Sequence, residues 1–153
     1  MLFYRPQEEH TDSQAVRLKL FHKNEPIHLS AVLPMLENFG LRVIDESPYQ
    51  VKTNDGEINW IMDFSMLHSM GGSLNMNTAM ELFQEAFSQV WYKKLEDDGF
   101  NRLVLGAGLT GRQVTILRAY AKYMRQTGSS FSNNYIANTL DRYPQIATLI
   151  VDC

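Results

Sequence analysis

Val16, Leu18 and Leu20 are separated by Arg17 and Lys19, a period of two that predicts a strand with one face turned toward a core. Asn24-Glu25-Pro26 reads as a turn, and Ser30 is placed to cap a helix carrying Val32, Leu33, Leu36 and Phe39. Pro34 falls early enough in that helix to be tolerated, and Gly40 is a natural stop. A second strand is expected over 41–45, ending before Pro48, and Asn54-Asp55-Gly56 is a strong turn signal. Beyond it Ile58, Trp60, Met62 and Phe64 alternate with Asn59, Ile61 and Asp63, which predicts a third strand. Ile61 adds an apolar group to the otherwise polar face, which suits a central position in the sheet.

The period then changes. Residues 66–76, with Gly71-Gly72 inside them, read as a flexible loop. Thr78 with Glu81 resembles a capping box, and Met80, Phe83, Phe87, Val90 and Trp91 follow at spacings of three and four. Asp97-Asp98-Gly99 interrupts this helix, and further helices are expected over about 100–106, 112–126 and 132–151, the last broken near Pro144. The order strand, helix, strand, strand, helix, then helices alone, predicts an α+β fold: a small antiparallel, ferredoxin-like βαββα sheet with helices on one face, followed by a helical extension. A right-handed crossover leaves the first two strands parallel with a gap between them, which the third strand fills. The division expected is 1–96 for the α+β module and 97–153 for the helices. Ile146, Leu149 and Ile150 share a face of a last helix that meets Asp152-Cys153 without a stop signal, which predicts a natural chain running further.

Composition narrows the function. Of 153 residues, 44% are apolar and 20% charged, ordinary globular usage, and the formal net charge is -3. No long basic stripe appears, which weighs against nucleic acid as a partner. No run of 18 apolar residues exists, so no membrane span is expected, and the N-terminus does not have the pattern of a secretory signal. One cysteine, Cys153, precludes an internal disulfide or a cysteine-built metal site and fits a reducing, cytoplasmic setting.

One motif invites a nucleotide. Gly106-Ala107-Gly108-Leu109-Thr110-Gly111 fits G-x-G-x-x-G, follows Arg102-Leu103-Val104-Leu105 and precedes a helix. Its context is poor: the strand would be four residues long, and no acidic residue for a ribose occurs between Gly111 and Asp141. A glycine-rich turn between two packed helices, with Thr110 as a cap, is the simpler reading. His10, His22, His28 and His68 are scattered without ligand spacing. Met62, Met66, Met70, Met76 and Met80 read as packing or partner-facing groups rather than a soft-metal cluster. Ser30, Ser65 and Ser73 lack a nucleophile context. Asp97-Asp98 reads as a solvated helix end. Arg112, Arg118, Lys122 and Arg125 add positive charge to one helix; placement toward its C-terminus explains the later ones, with a surface for an acidic partner as the sharper alternative.

Two stretches carry a resemblance. One runs from Leu18-Lys19-Leu20-Phe21-His22 through Pro26-Ile27-His28-Leu29-Ser30 to Ser47-Pro48-Tyr49. The other runs from Asp98-Gly99-Phe100-Asn101-Arg102-Leu103-Val104-Leu105 to Arg118-Ala119-Tyr120-Ala121-Lys122-Tyr123. Together they resemble the large bacterial NAD-specific glutamate dehydrogenases, whose chains are many times longer. The resemblance implies a parent enzyme that converts L-glutamate to 2-oxoglutarate with NAD. It implies that this segment is an ACT-like regulatory module with the helical motif that follows, upstream of the catalytic domain. It carries no catalytic, cofactor or metal residue onto this chain, so no cofactor is expected on the segment itself. The partners implied are other domains or subunits of the parent. Relatives commonly have alanine at the place of Gly106, which favours the helical-turn reading. An ACT module also has a fourth strand after its second helix, where only helices are found here; Leu2-Phe3-Tyr4 could supply an edge strand instead. By the same resemblance, an amino-acid effector would bind near the first strand-to-helix connection, with Asn24, Glu25, His28 and Ser30 as candidates. Three functions therefore compete: a structural and assembly segment, an effector-binding module, and a free-standing nucleotide-binding protein using residues 106–111.

Overall fold

The period-two segments form one antiparallel sheet in the computed structural model, which describes residues 1–6, 15–68 and 76–153. Its strands are β1 (Leu2–Tyr4), β2 (Ala15–Lys23), β3 (Leu41–Lys52) and β4 (Ile58–His68), in the spatial order β1-β2-β4-β3. The helices are α1 (Leu29–Asn38), α2 (Met76–Trp91), α3 (Arg102–Gly106), α4 (Gly111–Gln126), α5 (Asn133–Arg142) and α6 (Pro144–Asp152), with a 3-10 turn at Gly99–Asn101. The strand read third, β4, fills the gap between β2 and β3 and pairs antiparallel with both. The fourth strand precedes the others: Phe3 of β1 lies opposite Leu18.

The chain forms two compact units, one of Met1–Glu37 with Leu41–Ser69, the other of Asn38–Gly40 with Met70–Cys153. In the first, alternation does what the sequence predicts. Val16, Leu18 and Leu20 stand opposite Met66, Phe64 and Met62, and all six are buried. On the reverse face Asp63 is also buried, at 5% exposure, because Arg17 grips it through Nη2 at 2.9 Å and Nε at 3.3 Å, with Lys19 at 3.7 Å. A carboxylate in the middle of a sheet is tolerated where such charge-assisted donors offset its lost hydration.

Several boundaries move. Strand β3 does not stop before Pro48 but runs to Lys52, with Pro48 opposite Met62. It is an edge strand, where a residue without an N–H costs no ladder bond on its open side. A bulge between Val43 and Asp45 leaves Ile44 out of register and exposed. The Asn54-Asp55-Gly56 turn forms as expected, with Gly56 at φ 84° and its N–H donating to the Thr53 carbonyl at 2.9 Å. Helix α1 starts at Leu29, so Ser30 lies inside it, and Pro34 sits beyond the first turn, where it removes the donor to the Ser30 carbonyl. Thr78 likewise lies within α2. The loop expected from residue 66 starts later, since β4 carries Met66, Leu67 and His68; residues 69–75 and His10 lie outside the described residues.

His68 ends β4 opposite Leu41 and is 7% exposed, with its Nδ1 buried and without a hydrogen-bond partner among the described residues. Burial lowers its pKa from 6.5 to about 4. The unfolded chain therefore takes up a proton that the folded chain refuses between those values. Stability is full above about pH 6.5 and falls toward pH 4, by at most about 1.4 kcal/mol per pH unit from this group. Urea titrations at stepped pH check this, and His68→Leu is expected to flatten the slope.

Candidate functional site

The connection after β2 is where the effector candidates fall. Asn24 adopts φ 72°, the left-handed region that asparagine tolerates better than most residues, and its N–H donates to the Ile58 carbonyl at 2.8 Å. His22 Nδ1 lies 2.8 Å from the Glu25 carbonyl, and the Ala31 N–H donates to the His28 carbonyl at 3.0 Å as α1 begins. The backbone of the connection is thus pinned at both ends. Asn24, Glu25, His28 and Ser30 are all exposed on it or on the first turn of α1, and among the described residues their side chains bond neither one another nor anything else.

The G-x-G-x-x-G stretch has a different setting from a dinucleotide loop. Residues 102–105 are helical, so α3 rather than a strand leads into it, and α5 rather than a strand follows Gly128. Gly108 takes φ 67°, and both the Ala107 and Leu109 N–H groups donate to the Leu103 carbonyl, at 3.0 and 3.2 Å. That is a left-handed helix stop. Leu109 is buried, and Thr110 caps α4 in a reciprocal box with Gln113. Gly111 backs onto protein: a Cβ there would stand 2.9 Å from Gln89 Oε1 and 3.3 Å from Leu95 Cδ2. The Ala107, Leu109 and Thr110 amides of this stretch are spent inside a helix–turn–helix rather than turned to a phosphate.

A charged clamp, which sequence reasoning missed, lies beside this turn. Arg118 of α4 is buried, and its Nε and Nη2 donate to Asp98 Oδ2 and Oδ1 at 2.7 and 2.8 Å. Nη2 also donates to Asn101 Oδ1 at 3.0 Å, while Asn101 Nδ2 donates to the Glu96 carbonyl at 2.9 Å. The Phe100 ring centroid lies 5.8 Å from the guanidinium carbon. At the rim Lys122 Nζ donates to both Glu96 oxygens, at 2.7 and 2.9 Å. Asp98 also caps the 3-10 turn by accepting the Phe100 N–H at 3.1 Å. So Asp98 is not a solvated helix end, and Arg118 is not helix-end charge. The available signal was the Asp98-Gly99-Phe100-Asn101 string itself, an N-cap followed by a turn; its partner twenty residues on leaves no local trace. Among the described residues no three of His, Cys, Asp and Glu gather to hold a metal ion. No helix among them is long and apolar enough to cross a membrane.

Comparison with known families places these features. Residues 1–79, which hold the whole sheet and α1, match the family described as glutamate dehydrogenase, ACT3 domain. The chain belongs to that family. Its helical part, residues 95–153, matches glutamate dehydrogenase, helical motif 3, and contains the whole clamp and the glycine-rich turn. This ACT3-family chain is 45% identical over 148 residues to an NAD-specific glutamate dehydrogenase of Halomonas elongata, covering 97% of the chain and 9% of that protein. It is 40% identical over 151 residues to one of Pseudomonas aeruginosa (99% and 9%) and 38% identical over 147 residues to one of Mycobacterium tuberculosis (92% and 9%). The chain thus spans about a tenth of the length of these relatives.

Within the helical motif the two glycines of the turn differ in what they can accept. Gly106 is helical, and a Cβ there would meet only Asp141 Oδ1, the far end of a flexible side chain, at 3.1 Å. Gly106→Ala is expected to change stability by less than about 1 kcal/mol, because helix propensity and a small carboxylate shift oppose each other. Gly108→Val places a β-branched residue at positive φ and is expected to cost about 1–3 kcal/mol. Thermal denaturation of the two variants side by side checks the contrast.

Proposed function

We propose that this chain is a non-catalytic structural and regulatory segment of an NAD-dependent glutamate dehydrogenase. The parent enzyme oxidises L-glutamate with NAD to 2-oxoglutarate, ammonia and NADH, in the cytoplasm, with its catalytic groups and its NAD site on other parts of its polypeptide. The family match supports this reading, and one local observation carries it. The only dinucleotide-like motif in the sequence is a capped turn between α3 and α4, backed by Gln89 and Leu95 and without a strand on either side. Within the parent, the segment contributes surfaces that pack on neighbouring domains or subunits. The test is direct. The purified chain, mixed with glutamate and NAD, yields no NADH above the rate without it; turnover proportional to chain concentration overturns the reading.

The second reading is an amino-acid effector module. Its support is the pinned connection on which Asn24, Glu25, His28 and Ser30 stand exposed with unused side chains. The opening amides of α1 lie beside them, where an effector carboxylate gains from the helix N-terminus. A ligand bound only by the folded chain raises its melting temperature, and at about a hundred times its Kd adds roughly 2.7 kcal/mol. A melting screen of the amino acids at millimolar concentration is expected to single out one or a few, with the rise lost in His28→Ala. A flat panel removes this reading and leaves the first intact.

A further inference from the structure

Helix α4 has two apolar faces. Val114, Leu117 and Ala121 are buried within their own unit. Ile116, Tyr120, Tyr123 and Met124 recur at helical spacing on another side and remain exposed, from 38% at Ile116 to 64% at Tyr123. About two and a half turns of helix thus present large apolar groups that the described part of the chain leaves open. Charge around this stripe is one-sided: α4 contains Arg112, Arg118, Lys122 and Arg125 and no acidic residue. Arg118 is spent in the clamp and Lys122 on Glu96. Arg112, one turn ahead of Ile116 and on the same side of the helix, is exposed and has no ion-pair partner among the described residues.

We propose that the outer face of α4 is a docking surface for an apolar patch with an acidic rim on another part of a longer glutamate dehydrogenase polypeptide. The composition fits an interface core, where Tyr and Met are enriched, ringed by groups that set orientation. The unpaired cation Arg112 at the N-terminal end of the stripe chooses a partner whose rim is negative there. The occupant follows from the comparisons: the three relatives named above each carry about ten times more polypeptide than this chain. The proposal rests on the parentage given above, and its test separates the two.

Tyr123→Cys is combined with Cys153→Ser, and maleimide labelling is timed in this chain and in a longer polypeptide that contains it, with glutamate-dependent NADH formation assayed on the same longer preparation. Tyr123 is exposed, so the change leaves the fold intact, which circular dichroism verifies. Labelling is expected to be at least about 100-fold slower in the longer polypeptide, where the site is reached only through local opening. Arg112→Glu in that context is expected to restore about tenfold of the rate, by setting like charges against each other. Equal labelling in both contexts overturns the docking surface, and if NADH still forms, the parentage stands. Absence of NADH counts against the parentage whatever the labelling. Slow labelling of the short chain alone that speeds up on dilution assigns the face to a second copy and overturns the proposed occupant. An unchanged rate in Arg112→Glu overturns the acidic rim.

Discussion

Asp98→Ala is expected to destabilise the helical unit by about 3–5 kcal/mol, more than Arg118→Met, although both remove the same ion pair. The two side chains are unequally placed: that of Arg118 is 2% exposed and that of Asp98 33%. Removing the carboxylate strands a guanidinium that water cannot reach, and it also takes the cap from the Phe100 N–H. Removing the guanidinium leaves a carboxylate that water does reach, and methionine refills most of the volume beside Phe100. Arg118→Met is therefore expected to cost about 1–3 kcal/mol, chiefly through the unpaired Asn101 Oδ1. The double variant carries the sharpest expectation. Asp98→Ala with Arg118→Met is more stable than Asp98→Ala alone, because the stranded charge is gone. Urea denaturation of the three variants reads the order. A double variant that is the least stable of the three would mean that the pair is not a buried clamp.

Phe83→Ala is expected to cost about 3–5 kcal/mol through the cavity it leaves. Phe83 is fully buried on α2, with Phe39 edge-on at a centroid distance of 5.1 Å and Phe87 at 5.4 Å. Phe39 lies 6.0 Å from Phe87, and Phe87 stacks on Trp91 at 6.3 Å. These rings interlock, so alanine loses dispersion contacts on several sides at once, and edge-to-face attraction as well. Phe83→Leu keeps most of the volume and is expected to cost less than half as much. Trp91 fluorescence followed through denaturation reports this cluster. Equal stability of the alanine variant and the parent chain would remove the cluster from the core.

Much of the fold was legible because its signals are local. The alternation in β2 and β4 survives as pairing of Leu18 with Phe64 and Leu20 with Met62, and Ile61 marked β4 as central. Gly40 and Gly56 stop and turn the chain at positive φ, as their placement implied. Thr110 caps α4 and Pro144 opens α6. What the sequence hid depends on tertiary context. Pro48 reads as a strand end until β3 proves to be an edge, where the missing N–H faces no neighbour. Ser30 and Thr78 are good caps by type, yet α1 and α2 begin earlier, because helix ends follow packing as well as cap chemistry. The clamp was hidden more deeply. Arg118 follows the helix-end charge pattern, and only the fold carries Asp98 to it across twenty residues. The candidate connection was legible as a place, a turn before a helix, while the left-handed Asn24 and its bond to Ile58 needed β4 in position.

Calorimetric titration of the chain with NAD tests the central claim, that the glycines of the α3–α4 turn serve packing. The expected trace is flat, equal to the heat of dilution. A saturable isotherm that weakens in Gly108→Val would contradict it, since phosphate would then be reaching amides that the turn holds for itself.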